Sequence, residues 1–367
     1  MTRARDLGIP FEGQPGEWNA ITDVEDVTVG HTTLIFGEGR LQPGIGPIRT
    51  GVTTVIPRGR SFDAVFAGWY SLNGNGEMTG TTWVEESGFM RGPVLITNTH
   101  SVGIVRDTAV EWLIKLEKEH PQLGQSPFQL PVAAETFDGF LNDINGFHVK
   151  REHVLNALDT AKSGPVDEGC VGGGTGMICH RFKGGIGTSS RIVHIGEDTF
   201  TLGVLVQANY GSRDHLTIAG VPVGKEIPDL MPEHYDLPAI IPDGSIIVVV
   251  ATDAPLLPHQ LKRIARRVPM GIAKMGGFGA NSSGDIFLAF STANPGAASI
   301  SGAQNLCMLA NDQMDPLLIA TVQATEESIV NAMVAARTMT GINGNTVYAL
   351  PHERVRGILK KYGRLAD

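Results

Sequence analysis

Ser245 stands directly after Gly244 and ahead of an unbroken apolar, mostly β-branched run, in the stretch PDGSIIVVVATDAP (242–255). A serine hydroxyl is a weak nucleophile that needs a base beside it. At this place it either closes a turn that leads into a strand or does chemistry, and the stretch alone leaves both readings open. Ser283 and Asp285, in NSSGD (281–285), follow at 38 and 40 positions. A carboxylate can hold a hydroxyl that passes or orients a proton. The same five residues also read as a polar turn before the strand-like IFLAFS (286–291). Asn209 in VQANYG (206–211) is either an amide donor for a developing oxyanion or the polar end of a strand. Glu135 in AAETFDG (133–139) places a carboxylate after an apolar stretch. GCVGGGTGM (169–177) fits neither nucleotide-binding fingerprint and serves a positive-φ turn as well as an anion cradle.

Other chemistries lack their signatures. The chain has no phosphate-binding G-x-x-x-x-G-K-[ST], no H-E-x-x-H, no G-x-S-x-G and no S-x-x-K. Its eleven histidines are scattered, and His148 and His153 are spaced too widely to stack on one helix face. A metal site would have to come from distant residues.

The elements that must position these groups are mostly strands. VTVGHTTLI (27–35), TGVTTVIP (50–57), DAVFAGWYSL (63–72), PVLITNTHSV (93–102) and TFTLGVLVQAN (199–209) are rich in β-branched and aromatic residues. The last reads as a strand buried on both faces near its end. Helices are expected over 107–119 behind an Asp107 cap, over 325–339 behind Thr325, and over the shorter 259–268 and 353–362. Strands and helices do not alternate regularly, which disfavours a doubly wound sheet and favours an α+β sandwich.

The 367 residues, 42% hydrophobic and 18% charged, suffice for a sizeable core, and no linker divides them. A net charge of -9 argues against nucleic acid or an anionic membrane as the main partner. Cys170, Cys179 and Cys307 are odd in number and form no C-x-x-C, which reads as reduced thiols in a cytoplasmic chain. Neither a signal peptide nor an 18-residue apolar run is visible.

Several phrases in order carry a resemblance: NAITDVEDVTVGHTT (19–33), SLNGNGEMTGTTWVEESG (71–88), AAETFDGFLNDINGFHV (133–149), GCVGGGTGM, GVLVQANYGSR (203–213), DGSIIVVVATDAPLLPHQL (243–261) and NSSGDIFLAFSTAN (281–294). Over about residues 19–340 the chain resembles the self-processing N-terminal-serine aminopeptidases, the group of L-aminopeptidase/D-esterase, D-aminopeptidase and β-peptidyl aminopeptidase. The resemblance implies one large domain, 1–367, folded as the four-layer αββα sandwich of N-terminal-nucleophile hydrolases. It implies self-cleavage between Gly244 and Ser245 into fragments 1–244 and 245–367, with Ser245 as nucleophile. It implies Ser283 and an acidic residue as the supporting relay, and Glu135 as anchor for the substrate's ammonium. The acidic residue here is Asp285, where relatives typically carry Glu. Some relatives carry a Tyr at the position of Phe137, which has no hydroxyl and receives no catalytic role. The processed units are expected to form a homo-oligomer, a tetramer, with no metal and no organic cofactor.

Elementary chemistry is consistent with this. A free α-amine titrates near ~7.7–8.0, so a chain beginning at Ser245 carries its own base. Before the cut that nitrogen is an amide, so processing creates the catalyst. Gly244 reaches backbone angles that expose a strained carbonyl. An Asn209 amide aimed at the oxyanion is worth roughly 3–4 kcal/mol. A carboxylate at 135 would tell a chain end from an internal peptide. The expected function is release of N-terminal residues from short peptides, amides or esters with a free amine, through an acyl-enzyme on Ser245. The NGNGEMTG loop (73–80), Trp83 and Asn98 are expected to line the site. Two alternatives stand beside it: an acyltransferase like the ornithine acetyltransferases, and an unprocessed, non-catalytic relative.

Overall fold

The apolar run after Ser245 has no polar interruption because it is covered on both faces. Ile246, Val248 and Val250 point into one core, while Ile247, Val249 and Ala251 point into another. Each such buried Val or Ile stabilises the fold by about 1.5–3 kcal/mol. The computed structural model describes residues 2–61, 63–119, 128–234, 244–299 and 302–366. Pro242 and Asp243 of the turn before Ser245 lie outside the described residues.

In chain order the first half carries β1 (Thr28–Phe36), β2 (Ile48–Arg60), β3 (Val65–Ser71), α1 (Thr81–Ser87), β4 (Phe89–Met90), β5 (Val94–Asn98), α2 (Val102–Glu119), β6 (Val132–Thr136) and α3 (Arg151–Asp159). A short hairpin follows, β7 (Ile178–Cys179) and β8 (Phe182–Lys183), then the long β9 (Gly185–Ile195) and β10 (Asp198–Tyr210) and the single-turn α4 (Val223–Glu226). The last part holds β11 (Gly244–Thr252), α5 (Pro258–Ala265), α6 (Val268–Lys274), β12 (Gly284–Ser291), α7 (Asp315–Ala335) and α8 (His352–Lys361).

Two sheets stack face to face. One has the order β1-β2-β5-β6, the other β4-β3-β12-β11-β10-β9. Val55, Ile96 and Ala134 of the first meet Leu205, Ile247 and Leu288 of the second between the sheets. Helices α2 and α3 cover the outer face of the four-stranded sheet through Val105, Leu113, Val154 and Leu158. Helices α5, α6 and α7 cover the six-stranded sheet through Leu261, Ile264, Ile272 and Ile329. The result is the αββα sandwich expected from the sequence. Within it, β5–β6 and β11–β12 are parallel pairs and the other pairs are antiparallel. A parallel pair requires a crossover. Helix α2 supplies it for β5–β6, and α5 with α6 for β11–β12.

Helix boundaries differ from the sequence reading in three places. Helix α2 begins at Val102, so Asp107 lies inside it; Asn98 caps the preceding single turn by accepting from the His100 N–H at 3.1 Å. Helix α7 starts ten residues before Thr325, and Thr325 bonds back to the Thr321 carbonyl rather than capping. The expected helix 259–268 breaks after Ala265, and α6 restarts with Pro269 in its first turn, where a missing N–H costs nothing.

Candidate active site

Ser245 lies at the start of β11, inside the six-stranded sheet. Across the antiparallel pair its partner is Asn209, and across the parallel pair it is Gly284. The hydroxyl of Ser245 is nearly buried and accepts a hydrogen bond from the Gly284 N–H at 3.1 Å. Gly244 has φ 89°, and a Cβ there would collide with the Asn209 carbonyl. Glycine is therefore required on the N-terminal side of Ser245 for two independent reasons.

The amide of Asn209 has a fixed orientation. Its Oδ1 accepts from the Ile178 N–H at 2.8 Å, and its Nδ2 donates to the Phe137 carbonyl at 3.1 Å. A backbone N–H can only donate, so the oxygen must face Ile178, and the second Nδ2 hydrogen is left for another acceptor. The ring of Phe137 is partly exposed; the residue is engaged at this site through its carbonyl.

Ser283 and Asp285 flank Gly284. The Ser283 hydroxyl donates to Asp285 Oδ1 at 2.6 Å, so the shorter side chain does reach it. Asn73 donates to the other carboxylate oxygen at 3.3 Å. Burial pushes the Asp285 carboxyl up, opposed by the bonds from Ser283, Asn73 and the Ile246 N–H. Ser283 and Asp285 also line a small cavity with Tyr210, whose buried hydroxyl finds no hydrogen-bond partner among the described residues. Burial, with Cys179 and Asp285 nearby, holds that phenol protonated far above neutral pH.

Glu135 sits near the end of the edge strand β6, buried. Its carboxylate accepts from the Glu77 N–H at 3.1 Å and from the Thr99 hydroxyl. Burial raises its pKa, and these two bonds oppose the rise. The glycine-rich loop after β3 runs between this carboxylate and Gly284, the strand partner of Ser245. A Cβ built on Gly76 would lie 3.1 Å from Gly284 Cα and 3.2 Å from Glu135 Oε1, so the loop passes between them only as glycine. Asn75 of the same loop donates to the Ser282 carbonyl at 2.6 Å, and the Asp285 N–H donates to the Asn73 carbonyl at 3.2 Å.

Sequence reasoning missed the backbone Gly284 and Ile178 N–H donors, and the supporting side chains of Asn73, within the expected loop, and Thr99. Of the three expected linings, the loop 73–80 reaches the site. Asn98 instead donates to Thr50 at 2.7 Å, and Trp83 packs edge-on against Phe128. Among the described residues no group of three His, Cys, Asp or Glu side chains is arranged to hold a metal, and no helix is long and apolar enough to cross a membrane.

Residues 19–347 match the model of peptidase family S58. The chain belongs to this family. The β-peptidyl aminopeptidase BapA of Sphingosinicella microcystinivorans is 54% identical over 99% of this chain and 93% of its own. The L-aminopeptidase D-Ala-esterase/amidase of Ochrobactrum anthropi, described as a prototype of the serine aminopeptidases and a variant of the Ntn hydrolase fold, superposes with a TM-score of 0.93. It is 49% identical and is covered in full, as is this chain. A β-aminopeptidase of a Burkholderia species superposes at 0.88 with 46% identity, covering 99% of both chains. This S58 member is therefore a hydrolase, a serine aminopeptidase of the N-terminal-nucleophile class. The family's description and the names of these relatives are those of hydrolases acting on peptides, amides and esters.

Proposed function

We propose that the protein cuts its own chain between Gly244 and Ser245, and that fragments 1–244 and 245–367 together form the aminopeptidase. The observation that carries this is the placement of Ser245. A small nucleophile opens a central strand, opposite an oriented carboxamide, after a glycine that no other residue could replace.

In the first step the Ser245 hydroxyl adds to the Gly244 carbonyl, the C–N bond breaks, and an ester forms as the nitrogen becomes a free amine. Water then opens the ester. In turnover the neutral amine takes the Ser245 hydroxyl proton as Oγ attacks the substrate carbonyl. The spare Asn209 N–H stabilises the developing oxyanion, and the Gly284 N–H, 3.1 Å from Oγ, holds the attacking oxygen in place. The leaving amine recovers the proton, and water releases the acyl group. Ser283, held by Asp285, orients the proton exchange at the new chain end. Glu135, set across Gly76 from Gly284, receives the substrate's ammonium.

Short peptides, amides and esters with a free N-terminal amine are the substrates of this reading. Peptides that begin with a β-amino acid are the first choice, after the names of two relatives at 54% and 49% identity. We assign the processed unit to a cytoplasmic homo-oligomer, a tetramer by the family resemblance, which light scattering would measure. The cleavage itself is tested by N-terminal sequencing of the smaller band on a denaturing gel. The expected sequence is SIIVVV; an intact chain, or a band that begins at Ser282 or Ser283, would overturn the assignment.

A further inference from the structure

Lys183 ends the β7–β8 hairpin and is fully buried. Its Nζ donates to three carbonyl oxygens, Met177 at 2.8 Å, Gly184 at 2.9 Å and Gly174 at 3.4 Å; burial lowers its pKa, and Cys170, Cys179 and Asp138 beside it oppose that and favour the charged form. A buried cation is costly to desolvate, and a methionine of similar length would fill the space without that cost. The partners of Lys183 show what the charge achieves.

The Met177 carbonyl belongs to the same peptide unit as the Ile178 N–H. That N–H is the donor that fixes Asn209 Oδ1 at 2.8 Å. The groups therefore form one line: the Lys183 ammonium, the Met177–Ile178 peptide, the Asn209 carboxamide, and the acceptor of its Nδ2. In such a chain each hydrogen bond polarises the next, and a cation at one end makes the far N–H a stronger donor. The same ammonium ties the carbonyls of the glycine-rich loop to the hairpin, so the Ile178 N–H is held in place as well as polarised. The GCVGGGTGM stretch gains a role here, as the backbone through which this charge acts.

We propose that Lys183 is a positioning residue for the reaction, acting through the Met177–Ile178 peptide to orient and polarise Asn209 as oxyanion donor. This rests on the reading of Asn209 given above. The test is a double-mutant cycle of Asn209→Ala and Lys183→Met, with circular dichroism to check folding. The readouts are kcat per cleaved chain on an aminoacyl p-nitroanilide and, for variants that accumulate precursor, the rate of self-cleavage. Asn209→Ala should cost about 10²–10³-fold. Lys183→Met should cost on the order of tenfold in kcat, as loss of an outer partner of a site donor does, with KM little changed. In the Asn209→Ala background it should cost nothing further. Lys183→Gln, which keeps a donor without the charge, should fall between lysine and methionine, and replaces methionine in the cycle should that variant not fold. A full tenfold loss in the Asn209→Ala background, or no loss on its own while Asn209→Ala is crippled, overturns the role of Lys183 alone. An Asn209→Ala enzyme with unchanged rate overturns the oxyanion reading together with it.

Discussion

Glu135→Gln separates recognition of a free amine from catalysis. The carboxylate is buried and already positioned by Thr99 and the Glu77 N–H, so little reorganisation accompanies binding. Glutamine is isosteric, and its orientation follows from those two partners: its oxygen must face the Glu77 N–H, while its NH2 turns to Thr99, whose hydroxyl can accept. Opposite unit charges at about 3 Å and an effective dielectric of about 20 attract by about 5 kcal/mol. Desolvation of the incoming ammonium offsets part, leaving about 3 kcal/mol, at the low end for breaking a buried ion pair. That is roughly 150-fold in kcat/KM. The assay compares an aminoacyl ester with the same ester lacking the amine. A roughly 150-fold loss is expected on the first and less than about threefold on the second. Because burial raises the Glu135 pKa, its anionic form is lost, as pH falls, at a pH above the ordinary glutamate range. KM for the amine substrate should therefore rise on the acid side in the native enzyme, and this rise should vanish in the Gln variant. Equal losses on the two esters would refute the ammonium anchor.

Asp285→Asn takes the charge from the group that accepts the Ser283 hydroxyl at 2.6 Å and sets an NH2 against one of its donors, Ser283 or Asn73, and should lower kcat by about 10²-fold without a comparable change in KM; steady-state kinetics on the cleaved fraction decide it. Gly244→Ala forces a Cβ onto a left-handed residue against the Asn209 carbonyl, so intact precursor should persist on a denaturing gel, and normal cleavage would contradict the role given to that backbone. Glu327 pairs with Arg191 at 2.8 Å and Arg5 at 2.7 Å, with Arg191 almost wholly buried. Glu327→Gln in the uncleavable Ser245→Ala chain should lower stability by about 3–5 kcal/mol, read as a shift of the urea midpoint at constant slope.

Most of the long strands were legible in the sequence because burial on both faces leaves β-branched runs, as in Ile246–Val250; β9 was not, because its first half, GIGTSS, is rich in Gly and Ser. The start of α7 was not, because Leu317–Val334 is buried nearly all round and shows no polar face by which to recognise a helix. Helix α2 was concealed by the strand-like SVGIV at its first turn. At the site, Ser245, Ser283, Asp285, Asn209 and Glu135 came from family phrases, since the blind readings of NSSGD and VQANYG stayed divided. The structure adds what carries no letter: backbone N–H groups of Gly284 and Ile178, and the proximity of Gly76 to both Gly284 and Glu135. Lys183 gave no signal of its own, standing two places after Arg181 in ICHRFK (178–183), and only its carbonyl partners single it out.

The order β4-β3-β12-β11-β10-β9 places the two strands downstream of Gly244 in the middle of a sheet whose other four strands lie upstream. A cut there yields two pieces that are interleaved rather than adjoining, each lacking the partners that complete its sheet. They stay together because separation would expose the cores on both faces of β11 and β12. On the proposed cleavage, the two fragments would assemble while still one chain, with the intact polypeptide bringing the interleaved strands together. After such a cut, refolding would become a bimolecular step, so the stability of the processed protein would depend on its concentration.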